Sequence, residues 1–219
     1  MKTLVIPSVA VAVLILSSCG PSPEEMKAAR EQAISDSLAN VAAMERTVVL
    51  DPAASVVNWT GVMLGVKDHK GTLRLTEGKV TIKGTEVLNG SFTADMSSIA
   101  SIQDQFMAPE GSPQGTRLNL DGHLKSPEFF DVGTHPNATF VITSVSGNTA
   151  KGNLTVHGKT NEESVTDITV SEENGLIMVS GKLTFDRQKY GVAWSSGSKD
   201  KVLNDNIDLQ IELVGKPAM

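Results

Sequence analysis

The stretch IDLQIEL, which runs from Ile207 to Leu213, is the most regular pattern in the sequence. Its odd-numbered residues are apolar and the residues between them are Asp208, Gln210 and Glu212. Successive side chains of a β-strand point to opposite faces, so this alternation predicts a strand with one apolar face and one solvated face. A domain built from such strands has to bury the apolar face of each one against the others.

The same alternation recurs along the chain. It appears at residues 73–75, 80–83, 91–96, 153–157 and 183–186. Dipeptides that contain Gly, or Gly with Asn, at 77–78, 89–90, 147–148 and 174–175 favour tight hairpins between strands, since Gly and Asn tolerate positive φ. Eight or nine strands at this spacing predict an antiparallel sandwich or barrel. Charged residues such as Lys83 and Asp186 mark the polar face as the outer one, which leaves the apolar face inside.

One long segment interrupts the strands, between Met96 and Ala138. Ser98, Ile99, Ile102 and Phe106 have helical spacing up to Pro109. A second short helix is predicted around residues 120–124, before Pro127. Long insertions in a β-domain are usually functional, so we expect a lid, plug or flank here.

The first twenty residues predict a lipoprotein signal. Lys2 precedes an apolar run from Leu4 to Leu16 that is shorter than the roughly 20 residues a membrane-spanning helix needs. The run ends in Leu-Ser-Ser before Cys19, which resembles the lipobox of bacterial lipoproteins. The resemblance implies cleavage after residue 18 and acylation of Cys19. We therefore expect a protein anchored in the bacterial cell envelope, with the outer membrane favoured and the domain in the periplasm or at the cell surface.

A helical tether is predicted over residues 19–46, between the lipid anchor and a domain over residues 47–219. Ser22, Pro23 and Glu25 form a helix start with a capping box. The following residues are good helix formers with a narrow apolar stripe at Ile34, Leu38 and Val41. This pattern favours a spacer over a docking or self-pairing helix, since the stripe is too short for three heptads.

Composition excludes several classes of protein. The formal net charge is −6 without a basic stripe, which argues against a nucleic-acid partner. Cys19 is the only cysteine, so no internal disulfide is available and packing has to stabilise the domain.

Four strings in the domain together resemble the signature of the YceI-like family. They are LDP with SVVNWTG (50–61), HLKSPEFFDV with the following HP and ATF (123–140), GNLTVHGKT (152–160) and RQKYGV (187–192). The resemblance spans about residues 47–214 in the same order. The lipobox, the tether and the longer loop at 107–115 depart from it.

The resemblance implies an all-β fold, an antiparallel eight-stranded lipocalin-like barrel with a short helical insertion. It also implies an elongated apolar cavity for a polyisoprenoid, quinone or related long-chain lipid. Because the sequence lacks recognisable catalytic motifs, we expect no enzymatic activity and no cofactor. An eight-stranded barrel is just wide enough to be packed or to hold one slender ligand. The predicted ligand-binding residues are Trp59, Phe92, Met96, Phe106, Phe129, Phe130, Phe140, Phe185, Tyr190 and Trp194.

The pair Phe129–Phe130 allows two interpretations. In an extended segment only one of them points inward, so one would wedge the insertion onto the barrel and the other would line or close its mouth. Alternatively both pack in the core below a loop. Trp59, Tyr190 and Trp194 are expected near a rim, where an amphipathic ring meets water.

The sequence offers little for catalysis or metal binding. The four histidines, His69, His123, His135 and His157, share no metal-binding spacing, and His157 is expected to be a hydrogen-bonded turn residue. Asp186 and Arg187 could form an ion pair or hold an anionic head group, since the planar fork of arginine suits phosphate, and a surface ion pair is the favoured interpretation. Two alternatives to lipid binding remain: a side-chain-filled barrel that binds envelope proteins, and an enzyme, which would require at least two histidines clustered with a carboxylate.

Overall fold

The structure is a computed structural model that describes residues 21–64, 67–102, 116–195, 197 and 202–218. Cys19 and Phe106 lie outside these residues. The chain divides into two compact units, residues 1–41 and 42–219. No helix among the described residues has both the length and the apolar character needed to cross a membrane.

Helix α1, Pro23–Ala43, makes up most of the described part of the first unit and ends two residues beyond its boundary. The predicted capping box is present, since the Ser22 backbone N–H donates to Glu25 Oε2 at 2.6 Å and the Glu25 N–H donates to Ser22 Oγ at 3.2 Å. These bonds satisfy N–H groups that have no partner inside the helix. The apolar stripe of Ile34, Leu38 and Val41 is exposed.

The second unit is an antiparallel β-barrel. Its elements are β1 Glu45–Leu50, β2 Val56–Leu64, β3 Lys67–Lys83, β4 Glu86–Ser101, α2 Arg117–Lys125, β5 Asn137–Ser146, β6 Thr149–Val156, β7 Lys159–Glu173, β8 Leu176–Asp186, a 3₁₀ helix Arg187–Tyr190 and β9 Val202–Pro217. Strands β2 to β9 pair around a closed ring of eight, which the β3–β4 and β2–β9 pairings complete. The predicted eight-stranded antiparallel barrel is confirmed.

Strand β1 lies beyond the ring and continues the line of β2. It pairs with β3 at residues 79–83 and with β9 at 215–217, whereas β2 pairs with β3 at 67–74 and with β9 at 202–212. The turn at Asp51–Ser55 separates the two strands, and the Ser55 hydroxyl hydrogen-bonds both the carbonyl and the N–H of Val214. These bonds satisfy strand backbone where the ladder is interrupted.

The barrel interior holds two apolar clusters. One contains Trp59, Phe129, Phe130 and Phe185, and helix α2 contributes Leu124 to it. The other contains Val48, Val80 and Ile177 at the opposite end of the strands. The alternating pattern of β9 places Ile207 and Leu213 in these clusters, one in each.

The helix predicted from Ser98 is wrong over the residues that the structure describes. Strand β4 continues to Ser101, with Thr72 opposite Ala100 and Gly71 opposite Ser101. Pairing with β3 and burial of Ile99 outweigh the local helical spacing. The second predicted helix is confirmed as α2, which Thr116 caps by accepting a hydrogen bond from the Asn119 N–H.

Candidate functional site

A cavity of about 260 Å³ runs through the barrel. Residues of both apolar clusters line it, from Trp59 and Phe129 at the α2 end to Val80 and Val179 at the other. A cavity of about 150 Å³ lined by Leu, Ile and Phe stays dry and accepts a small apolar molecule. The barrel is therefore not filled by its own side chains, contrary to the expectation of a packed interaction module.

The cavity lining is almost entirely apolar. Among the described residues that line it, the polar ones are His69, His123, Thr139 and Ser180, and none is Asp, Glu, Lys or Arg. Burial of apolar surface contributes roughly 25 cal/mol per Å², before the costs of binding. Such a lining favours a hydrocarbon guest and penalises any charge placed in its middle.

Most of the predicted ligand-binding residues face this space. The lining includes Trp59, Phe92, Met96, Phe129, Phe130, Phe140, Phe185 and Trp194. Their contact with a ligand stays a prediction. Sequence reasoning missed His69, although its position shares a strand face with Leu73 and Leu75, which also line the cavity.

Phe129 and Phe130 both point into the barrel. Their exposed fractions are 5% and 7%, and their rings meet edge to face with centroids 4.9 Å apart. The segment is a turn and not an extended chain, since the Phe129 N–H donates to the carbonyl of Ser126 and the Phe130 N–H to that of Leu124. The turn removes the alternation that would have sent one ring outward, so the wedge-and-mouth interpretation is wrong.

Two nitrogen-bearing rings, those of His123 and Trp59, line the α2 end of the cavity. The His123 ring lies edge to face against Trp194, at 4.9 Å, and against Phe129, at 5.5 Å. Among the described side chains, His123 Nε2 and Trp59 Nε1 are buried nitrogens without a hydrogen-bond partner. A buried polar atom without a partner costs roughly 1–3 kcal/mol, so a ligand that reaches these nitrogens with a polar group would recover part of that cost.

Comparison with known proteins agrees with this geometry. The profile of the YceI-like domain matches residues 49–215. The chain belongs to the YceI-like family. A UPF0312 protein of Yersinia enterocolitica is 38% identical over 76 residues, which are 33% of this chain and 40% of that protein. A UPF0312 protein of Staphylococcus aureus is 37% identical over 81 residues, 33% of this chain and 46% of that protein.

The chain thus spans less than half the length of these two curated relatives. Among solved structures, BcnA of Burkholderia cenocepacia matches with a TM-score of 0.53 at 21% identity, over 76% of this chain and 99% of that one. This likeness shows the fold. The YceI-like family consists of barrels that bind hydrophobic ligands and is not a known enzyme family.

The prediction that Tyr190 of the YceI-like barrel lies near a rim and contacts the ligand is wrong. Tyr190 is fully buried outside the cavity lining, and its ring packs edge to face against Phe185 with centroids 5.3 Å apart. Its hydroxyl donates to Glu163 Oε1 at 3.1 Å. Burial and the nearby Glu163 carboxylate raise the pKa of Tyr190, so the phenol stays neutral. Tyr190 supports Phe185 from outside the lining.

The predicted surface ion pair between Asp186 and Arg187 is also wrong, because the Arg187 side chain is buried. Arg187 is only 3% exposed. The side chain of Asp186 instead accepts a hydrogen bond from the Gln188 N–H. Arg187 Nη1 donates to the carbonyls of Val192 and Trp194, and its Nη2 to Asp205 Oδ1 at 3.0 Å. Burial lowers the pKa of the Arg187 guanidinium, and Asp205 acts in the opposite direction. The guanidinium holds the backbone that presents Trp194 to the cavity.

His69 is the lining residue whose ionisation the barrel changes. Burial lowers its pKa from the ordinary value of 6.5, and the carboxylate of Asp68 acts in the opposite direction. The cavity therefore favours the neutral imidazole, as an apolar interior should.

Proposed function

We propose that this YceI-like barrel binds one long apolar molecule, a polyisoprenoid, quinone or related lipid, in its central cavity. The continuous apolar lining carries this proposal. An unbranched or isoprene chain fits a channel that passes both clusters, and the binding free energy comes from burial of its hydrocarbon.

The polar end of the guest is placed at the α2 end in this proposal. Trp59 Nε1 is a donor, and His123 Nε2 donates or accepts according to its tautomer. A carbonyl, hydroxyl or phosphate oxygen there would accept hydrogen bonds, whereas the other end of the cavity offers hydrocarbon contacts from Val80 and Val179. This polarity suits a lipid with a single polar head.

The second part of the proposal is anchorage to the bacterial envelope through acylated Cys19. A single acyl chain binds a membrane only marginally, whereas two or more hold stably. Helix α1, with its own capping box, would separate the anchor from the barrel. The carrier would then hold its lipid guest close to the membrane that supplies or receives it.

Lipid extraction tests the first part. The full-length protein is purified natively from its bacterial host without added lipid, extracted with organic solvent and analysed by mass spectrometry with quantification against protein. We expect one lipid species at near one molecule per barrel. Repeatedly empty protein that also fails to take up an added polyisoprenol or quinone would refute the proposal.

A Cys19→Ser variant tests the anchor separately. It should move from the membrane fraction to the soluble fraction and lose the mass of the acyl groups. The cavity guest should remain at the wild-type ratio if guest and anchor are independent. A variant that stays in the membrane fraction would contradict anchorage while leaving lipid binding intact.

A further inference from the structure

Three side chains with metal-binding chemistry meet outside the cavity lining. Asp131 and His135 lie between α2 and β5, and His157 lies in the turn between β6 and β7. One ligating atom from each falls within 4.8 Å of the other two, and all three residues are half-buried. The sequence does not reveal the cluster, because the two histidines are 22 positions apart and no short spacing links them.

The backbone fixes the two residues that precede β5. The N–H groups of Thr134 and His135 both donate to the carbonyl of Asp131, at 3.0 and 2.8 Å. Asp131 has a φ of 45°, and its own N–H donates to the carbonyl of Ser126 at 2.9 Å. This tight turn directs the Asp131 carboxylate and the His135 ring to the same side.

The third residue approaches from the neighbouring hairpin. His157 and Gly158 have φ values of 50° and 70°, as in a type I′ turn. A Cβ on residue 158 would lie 2.6 Å from Cε1 of His135, so glycine gives that ring room to reach His157. The two imidazoles meet edge to face with centroids 4.9 Å apart.

One hydrogen bond sets the tautomer of His157. Its Nδ1 lies 3.1 Å from the carbonyl oxygen of Tyr190, which can only accept. The proton therefore sits on Nδ1 and leaves the Nε2 lone pair available. Histidines that bind metals are typically oriented in this way, with the second ring nitrogen donating to a carbonyl or carboxylate.

We propose that Asp131, His135 and His157 form a binding site for a divalent transition-metal ion of the zinc type. Two imidazoles and one carboxylate are an established zinc donor set, and the fourth position of a tetrahedral ion is left to water. Donor atoms about 2.0–2.1 Å from a tetrahedral zinc lie about 3.3 Å apart. Side-chain rotations that shorten separations of up to 4.8 Å bring the three atoms to that spacing.

A bound ion would connect two parts of the barrel end. The turn that contains Asp131 also contains Phe129 and Phe130, which line the cavity. His157 follows Val156, another lining residue. The ion would cross-link the Phe129–Phe130 turn to the β6–β7 hairpin and so stabilise the α2 end of the cavity.

Zinc titration of the tag-free, chelator-treated full-length protein tests the site. We expect one Zn²⁺ per chain by calorimetry, a rise in melting temperature with zinc concentration, and a visible absorption band on Co²⁺ substitution. Asp131→Asn, His135→Gln and His157→Asn should each weaken zinc binding by at least about 10- to 100-fold, since loss of a group that only orients a ligand already costs that much. Asparagine is chosen at 131 and 157 because it tolerates positive φ.

Asp167→Asn is the matched control, because Asp167 is an exposed aspartate that also has a positive φ, 54°. It should leave zinc affinity unchanged. The site is refuted if the wild-type protein binds no stoichiometric zinc, or if Asp131→Asn and Asp167→Asn have equal effects. Circular dichroism shows which variants fold. If a histidine variant does not fold, the zinc affinity of Asp131→Asn, the mildest of the three changes, decides whether the site exists.

Discussion

The indole of Trp59 lies directly against the backbone of Gly71, its cross-strand partner on β3. A Cβ on residue 71 would overlap both Cζ2 of Trp59 and the carbonyl oxygen of Ala100. Because one of these neighbours is backbone, rotation of the indole alone cannot relieve the contact. The missing side chain of Gly71 thus shapes one wall of the cavity.

We therefore predict that Gly71→Ala destabilises the barrel by about 1–3 kcal/mol, the usual cost of overpacking. Urea unfolding followed by tryptophan fluorescence measures it. Gly122→Ala is the control, since a Cβ on residue 122 would meet nothing within 4 Å and the residue lies in α2. That helical substitution should stabilise by about 0.5–1 kcal/mol. Equal effects of the two variants would contradict the close packing at Trp59.

Replacement of Arg187 by Met should destabilise the protein by about 3 kcal/mol or more. The change removes the donor from the buried carbonyls of Val192 and Leu203, and unpaired buried polar groups are costly. Thermal and urea unfolding measure the loss. Lys182→Met breaks the exposed pair with Asp167 and should cost no more than about 1 kcal/mol.

Filling the cavity should displace the guest without harming the fold. Ala94→Leu adds three carbon atoms at a buried lining position of β4. We expect at least a severalfold fall in lipid recovered per barrel, because the guest loses the space that the new side chain takes. Val141→Leu adds a carbon on the outer surface, where Val141 is 46% exposed, and should leave lipid content unchanged. Unchanged lipid content in Ala94→Leu would place the guest elsewhere.

The stability of the barrel should fall as pH drops below about 6.5, in part through His69. Its folded-state pKa is lowered by burial, so the unfolded chain takes up the proton first and protonation favours unfolding. The contribution of His69 to the free energy of unfolding is fully present at pH values above its pKa in the unfolded chain. It declines as the pH falls toward its pKa in the folded protein. His69→Gln should show a smaller loss of unfolding free energy between about pH 7.5 and about pH 5.5 than the wild type. An identical pH profile would contradict this.

The sequence determined the features that depend on neighbours along the chain. The alternation at residues 207–213 predicted a strand with one buried face, and the strand contributes Ile207 and Leu213 to the two clusters. The pairs 147–148 and 174–175 are turns, as predicted, and the Ser22–Glu25 capping box is present. Side-chain periodicity and caps act over a few residues, so the sequence displays them directly.

The turn predictions at two glycines were wrong, because packing against a neighbouring strand determines the conformation there. Gly78 and Gly90 were predicted to lie in turns but lie inside β3 and β4. A Cβ at Gly78 would lie 2.6 Å from Leu50 Cδ1, and one at Gly90 would lie 3.0 Å from Phe92 Cζ. Glycine serves close packing there, which only the paired strands reveal.

Only the tertiary structure determined the two candidate sites, which are the apolar cavity and the cluster of Asp131, His135 and His157. Alternation placed Phe92 and Met96 on an inner face, but whether that interior was packed or open depended on how all eight strands close. Asp131, His135 and His157 meet because a turn after α2 lies beside a hairpin more than twenty residues further along the chain. The sequence records local conformational preference, whereas cavities and ligand clusters arise from contacts between distant segments, whose distances are set only when the barrel closes.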